Sequence, residues 1–221
     1  MRGCASTVIP NNVQVIGQHA FTGCSNLMEI SIPNSVTTLE NNSFSDCRAL
    51  TSVVIPSSVT EIRENVFSGC SSLKSIRVDE NNRIYDSRNN CNAIIETATK
   101  TLMLGCQNTI IPRGIISIAE RAFYNCQNLD SIKIPYGVTT IGNEAFYYCN
   151  DLQYVEIPNS VQNIYWGAFN ECYNLLTIVS KIKNPSGMNN MSRAFSGSYG
   201  SATLYVPKGT KESYQGASYW N

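Results

Sequence analysis

Apolar and polar residues alternate over short stretches of this chain, and each stretch ends at a proline. In Leu27-Met28-Glu29-Ile30-Ser31-Ile32, the apolar positions Ile30 and Ile32 alternate with Glu29 and Ser31. That period of two predicts a half-buried strand, and Pro33 ends it because proline supplies no ladder donor. Val36 and Leu39 predict a second, shorter extended segment on an opposite wall. Ala20-Phe21, which precede the next strand, fit a tight turn or a short helix. No element reaches the length of a long helix, so the core must come from many small pieces packed together.

The same pieces recur. Pro10, Pro33 and Pro56, then Pro112, Pro135 and Pro158, step by 23 residues, and so do Phe21, Phe44 and Phe67, then Phe123, Phe146 and Phe169. Cys24, Cys47, Cys70, Cys126, Cys149 and Cys172 follow, each with a leucine three residues later: Leu27, Leu50, Leu73, Leu129, Leu152 and Leu175. The unit reads I-P-x2-V-x2-I-x3-A-F-x2-C-x2-L-x2-I-x. A period of this size lies within the roughly 20 to 29 residues of a leucine-rich repeat, and one copy is too short to enclose a core. The fold expected is a right-handed leucine-rich-repeat solenoid. Its coils stack at about 4.8 Å into short parallel strands joined by turns or short helices, and its interior is columns of Leu, Ile, Phe and Cys.

A longer period lies over the short one. Gly3-Cys4 and Thr7-Val8-Ile9-Pro10 return as Gly105-Cys106 and Thr109-Ile110-Ile111-Pro112, 102 residues on. This divides a single domain, 1–221, into regular coils at about 8–78 and 110–179, an irregular insert at 79–109, and a C-terminal cap at 180–221. Within the insert, Asn92 to Glu96 and Thr101 to Gly105 read as a β-hairpin turning at Ala98-Thr99. In the cap, Tyr214, Tyr219 and Trp220 are expected to close the last coil, because solenoid ends otherwise expose core edges. The chain opens on what resembles the end of such an insert, so a longer natural protein is expected.

Charge narrows the partners. Sixteen basic residues balance sixteen acidic ones among 221, which provides no basic stripe for nucleic acid or for an anionic membrane surface. The apolar runs fall far short of the roughly 20 residues that span a bilayer, so direct membrane insertion is not expected. Phosphate loops, nucleophile elbows and H-E-x-x-H are absent, and His19 is the sole histidine, so neither an enzyme nor a bound metal or cofactor is expected. His19 shares a column with Asn42, Asn65, Arg121, Glu144 and Gly167, which reads as solvent-facing.

Six of the nine cysteines recur once per coil and read as buried structural thiols. Cys91 and Cys106 flank the hairpin, where they are either free or close enough across the strands to form a disulfide. Residues that vary between coils face water. On the strand wall these are small and mixed: Glu29 and Ser31, Ser52 and Val54, Ser75 and Arg77, Ser131 and Lys133, Tyr154 and Glu156. In the turns, Thr22, Ser45 and Ser68 give way to Tyr124 and Tyr147, with Tyr148, Tyr165, Trp166 and Tyr173 close in register. Of these aromatics Tyr124, Tyr147, Tyr148, Tyr165 and Trp166, with Tyr154, are the candidate ligand-binding residues. Exposed Tyr and Trp bury large areas with few rotors, and the alternative is packing between adjacent coils.

The repeat resembles the BspA-like leucine-rich-repeat family, whose unit has this same I-P, A-F, C and L spacing. Tyr85 to Glu96 looks like the insert of gut-bacterial members, and Leu204 to Tyr214 is similar to their closing segment. The resemblance implies a secreted or cell-surface protein that adheres to host proteins, neighbouring cells or matrix, and it implies no shared catalytic residue. Met1-Arg2-Gly3-Cys4 does not read as an export signal, so extracellular localisation rests on the resemblance. Three functions follow: an adhesion or protein-interaction module, a structural spacer or stalk, and a carbohydrate-binding module that would use the same aromatics.

Overall fold

The computed structural model describes residues 7–188, 193–197, 202–217 and 220. Two walls of short strands run along it. One wall carries Ser52–Ile55 paired with Ser75–Val78 and, beyond the insert, Ser131–Lys133, Tyr154–Ile157, Thr177–Ser180 and Thr203–Tyr205 in order. The other carries Val15–Ile16, Thr38–Leu39 and Glu61–Ile62, then a six-stranded sheet that ends on Ser117–Ile118, Thr140–Ile141 and Asn163–Ile164.

Register follows from the repeat. Ser131 pairs with Tyr154, Thr38 with Glu61 and Tyr154 with Thr177, all parallel and one period apart. Each side chain therefore lies over its equivalent in the next coil. Phe21, Phe44 and Phe67 stack with ring centroids 4.8 and 5.2 Å apart, and Phe123, Phe146 and Phe169 with centroids 4.7 and 4.8 Å apart. Phe195 continues the second column at 5.1 Å. Each fully buried ring contributes on the order of 1.5 to 3 kcal/mol. The cysteine column lies beside them, buried from Cys47 onward. Its thiols donate to phenylalanine carbonyls of the preceding coil: Cys47 to Phe21 O, Cys70 to Phe44 O, Cys149 to Phe123 O and Cys172 to Phe146 O, at 3.0 to 3.2 Å.

The A-F segments form turns rather than short helices, because two residues of each turn adopt left-handed backbone. One column is His19, Asn42, Asn65, Arg121, Glu144, Gly167 and Arg193; the other is Gly23, Asp46, Gly69, Asn125, Tyr148, Glu171 and Gly197. Left-handed residues interrupt any α run and aim alternate amides along the stack. His19, Phe21 and Gly23 donate to Asn41, Ser43 and Ser45 at 3.2, 2.7 and 2.8 Å, and the next turns repeat the pattern. His19 is exposed, as its column predicts. In the first coil, Ile32 is buried and Ser31 exposed, but no strand forms there. Thr51 N–H bonds to Met28 O at 3.1 Å and no ladder develops beyond it.

The insert is a three-stranded antiparallel unit, Tyr85–Asp86, Ala93–Glu96 and Thr101–Gly105, whose last strand pairs in parallel with Ser117–Ile118. It partitions the interior. Ile94, Leu104 and Cys106 pack into the upstream core, whereas Cys91, Ala93, Ile95 and Leu102 pack into the downstream one. Tyr85 joins the two sheets of its wall by accepting a hydrogen bond from Ile62 N–H at 2.9 Å. At Gly105 a Cβ would lie 2.1 Å from the Phe123 ring, so only glycine admits that phenylalanine.

Both insert cysteines are free thiols, and the hairpin register explains it. Near the tip, Glu96 pairs with Thr101 and Ile95 with Leu102, a register that would carry 91 to 106. A bulge between Ile94 and Ile95 shifts the pairing to Ala93 with Gly105. A shift of one residue turns side chains to the other face, so Cys91 and Cys106 enter opposite cores.

At the C-terminal end, Thr203–Tyr205 adds to Thr177–Ser180, and the helix Lys211–Gln215 places Tyr214 in the interior. Its hydroxyl donates to Ile182 O at 2.8 Å and meets Ser180 Oγ at 2.5 Å. Trp220 packs on Phe195 and Tyr214 with centroids 5.4 and 5.1 Å away. Tyr219 lies outside the described residues.

Candidate interaction surface

Residues next to the Phe column form a column of their own where the turns pass from one coil to the next. Through the early coils these are Thr22, Ser45 and Ser68; later they become Tyr124 and Tyr147. Because coils lie one period apart, the two tyrosines stack in parallel, centroids 5.6 Å apart and planes within 6°. Tyr148 then meets Tyr147 edge-on at 4.7 Å, and Tyr173 meets Tyr148 edge-on at 6.4 Å. Offset and edge-on contacts of this kind add about 0.5 to 1.5 kcal/mol per pair. Tyr148 and Tyr173 are exposed and Tyr124 and Tyr147 are half-buried, so the cluster is both self-supporting and open to contact.

Charges fix its margins. The Arg121 guanidinium lies over Tyr124, 5.4 Å from the centroid, and is held by Glu144 at 2.5 Å. Tyr173 donates its hydroxyl to the Glu171 carboxylate, which pushes that phenol up to about 12. Burial raises Tyr124 and Tyr147 above their ordinary range as well, leaving both as neutral hydroxyls at physiological pH.

The remaining candidates are apart from this cluster. Tyr154 is on the strand wall, donating to Glu156 Oε2 at 3.0 Å. Tyr165 and Trp166 follow the strand Asn163–Ile164 at the far corner of the same turn, where Trp166 O accepts Glu144 N–H at 2.9 Å. Gly167 lies against Tyr147, but no ring contact among the described residues ties Tyr165, Trp166 or Tyr154 to the cluster. Trp166 is 42% exposed and extends the same edge. Sequence reasoning missed Arg121 as a partner of Tyr124. Their spacing of three residues within a turn was visible, but the left-handed backbone that brings them together was not.

Among the described residues, no three His, Cys, Asp or Glu side chains approach closely enough to hold a metal ion, and no helix is long and apolar enough to cross a membrane.

Short parallel strands on two walls, turns that repeat one coil after another and a columnar apolar interior define a leucine-rich-repeat solenoid. The chain belongs to the BspA-type leucine-rich-repeat family, whose profile, described as "BspA type Leucine rich repeat region", matches residues 3–104 and 101–219. Among solved structures it is similar to a leucine-rich cell surface protein of Faecalibacterium prausnitzii (26% identity, TM-score 0.70), covering 96% of this chain and 62% of that one. It shares its fold with the pneumococcal vaccine antigen PcpA (18% identity, TM-score 0.65; 95% of this chain, 64% of that one). A leucine-rich-repeat protein of Eubacterium ventriosum shares it too (18% identity, TM-score 0.51; 88% of this chain, 70% of that one). The chain thus spans 62% of the length of the Faecalibacterium protein. No curated protein sequence matches it.

Proposed function

We propose that this chain is a non-catalytic adhesion or protein-interaction module displayed on a bacterial cell surface, and that the turn edge from Tyr124 to Trp166 is its contact surface. The partner class is a protein of a host cell, a neighbouring cell or the matrix. Location is supported by the similarity to the Faecalibacterium cell surface protein. The observation that carries the contact surface is the backbone of Tyr148, with φ of 59°. Left-handed backbone costs a bulky side chain on the order of 1 to 2 kcal/mol, and the equivalent residues in the other described coils are Gly, Asp, Asn or Glu. An aromatic ring kept at such a position, exposed and braced by Tyr147 and Tyr173, is the kind of local strain that accompanies a binding role.

The test compares the parent with Tyr147→Ser and Trp166→Ser for binding to fixed epithelial cells, to immobilised fibronectin and collagen, and to a glycan array, after circular dichroism has confirmed folding. If Tyr147 is a central anchor, its loss weakens binding by roughly 30-fold, the equivalent of about 2 kcal/mol. Trp166→Ser reports whether the surface turns the corner. Binding confined to the glycan array would replace the protein partner with a carbohydrate, and unchanged binding by both variants would remove the surface altogether.

A further inference from the structure

Where the insert interrupts the stack, the amide ladder of the turns is broken on one side. In the second coil, Asn42 N–H and Phe44 N–H donate to Glu64 O and Val66 O at 3.0 and 2.9 Å; in the fourth, Arg121 and Phe123 donate to Asn143 O and Ala145 O at 3.0 and 2.7 Å. The turn of the third coil retains only its last bond, Gly69 N–H to Tyr124 O at 3.4 Å. By column, Phe67 N–H should reach Ala122 O, but Gly105 N–H of the hairpin occupies that carbonyl at 2.8 Å. Asn65 N–H should reach Glu120 O. Neither Asn65 N–H, Phe67 N–H nor Glu120 O has a partner among the described residues.

The two turns therefore touch at Gly69 and part toward Asn65. Between them is a cavity of about 140 Å³, floored by Ile94, Met103 and Leu104 and walled by Val66 and Ala119. Unpaired main-chain donors are costly to leave without acceptors. Here two lie two residues apart beside an apolar floor.

We propose that this cleft is a second binding site, which takes a short peptide segment of a partner protein in the turn conformation of a neighbouring coil. The complementary shape is visible in the intact coils. It is a backbone presenting carbonyls at alternate residues about a left-handed residue, as Asn143 and Ala145 do about Glu144. Recognition through main-chain bonds at an edge left without its partner follows the logic of strand addition. It needs no residue of the aromatic edge.

The probe is a blocked peptide of the sequence Asn143 to Tyr147, which carries both carbonyls. In the free protein, the amides of Asn65 and Phe67 exchange with solvent much faster than those of Asn42 and Phe44. Peptide at about ten times its dissociation constant slows Asn65 and Phe67 about tenfold, shifts their amide resonances, and leaves Asn42 and Phe44 unchanged. Ala119→Trp, which fills the cleft from its half-buried wall, abolishes both effects. Met103→Trp fills it from the floor and serves if the first variant does not fold. Tyr147→Ser leaves the peptide effect intact, which separates this site from the aromatic edge. The proposal is overturned if peptide at millimolar concentration moves neither amide, if both are already protected in the free protein, or if peptide acts equally on a filled variant.

Discussion

Phe146→Ala is the substitution that most directly probes the columnar interior. The ring is fully buried, with Phe123 at 4.7 Å on one face and Phe169 at 4.8 Å on the other, planes within 12° and 2°. Truncating a buried phenylalanine costs about 3 to 5 kcal/mol, in transfer free energy and residual cavity together. Two stacked neighbours place the cost near the top of that range, since each pair carries about 0.5 to 1.5 kcal/mol beyond area. Phe21 stacks on one ring among the described residues, at 4.8 Å, so Phe21→Ala should cost about 1 kcal/mol less. Urea unfolding followed by far-ultraviolet dichroism measures both. Hydrogen exchange then reads the spread of the damage. Because coils stabilise one another through neighbours, the Phe123 and Phe169 amides should lose more protection than Phe44, which lies beyond the insert. A loss below about 2 kcal/mol for Phe146→Ala, or equal deprotection of Phe44 and Phe123, would refute the nearest-neighbour reasoning.

Other consequences are equally direct. Gly105→Ala sets a Cβ 2.1 Å from the Phe123 ring, and overpacking of that kind should cost about 1 to 3 kcal/mol, seen as a lowered melting temperature. Burial pushes the Cys172 thiol from 9.0 up to about 12. Its contribution to stability is therefore complete below pH 9 and is lost as pH rises toward 12, because the unfolded chain releases the proton first. The slope in that window is about 1.4 kcal/mol per pH unit, and Cys172→Ala should flatten a plot of unfolding free energy, from urea titrations, against pH by that amount. Cys91 and Cys106 face different cores, so reducing the purified protein should leave its mass unchanged, and a gain of two hydrogens that vanishes in Cys91→Ser would contradict the bulged register.

What the sequence disclosed followed from translation along the stack. Once Phe44 is known to recur as Phe67, the 23-residue register, the Phe and Cys columns and the polar strand wall all follow, because each residue's main contact is its own equivalent one coil away. The features it hid depend on backbone geometry that no periodicity records. The bulge at Ile94 to Ile95 separates Cys91 from Cys106, and hairpin spacing alone had put them opposite. Left-handed residues at Arg121 and Tyr148 decide which aromatics meet, so Tyr124, Tyr147, Tyr148 and Tyr173 assemble while Tyr154, also aromatic and also surface-facing, is on another wall. The broken ladder beside Asn65 arises from competition for one carbonyl between Phe67 and Gly105, residues of unrelated columns.

The central functional claim is that Tyr148 occupies a strained position because its ring binds. Tyr148→Gly tests it with two readings from one protein. Relief of left-handed strain, on the order of 1 to 2 kcal/mol, is offset by the greater chain entropy of glycine, about 0.5 to 1 kcal/mol, and by the loss of edge contacts with Tyr147 and Tyr173. Unfolding free energy should then remain within about 1 kcal/mol of the parent, while binding to cells or matrix falls at least about tenfold. A variant that keeps its stability and binds as well as the parent would contradict the account.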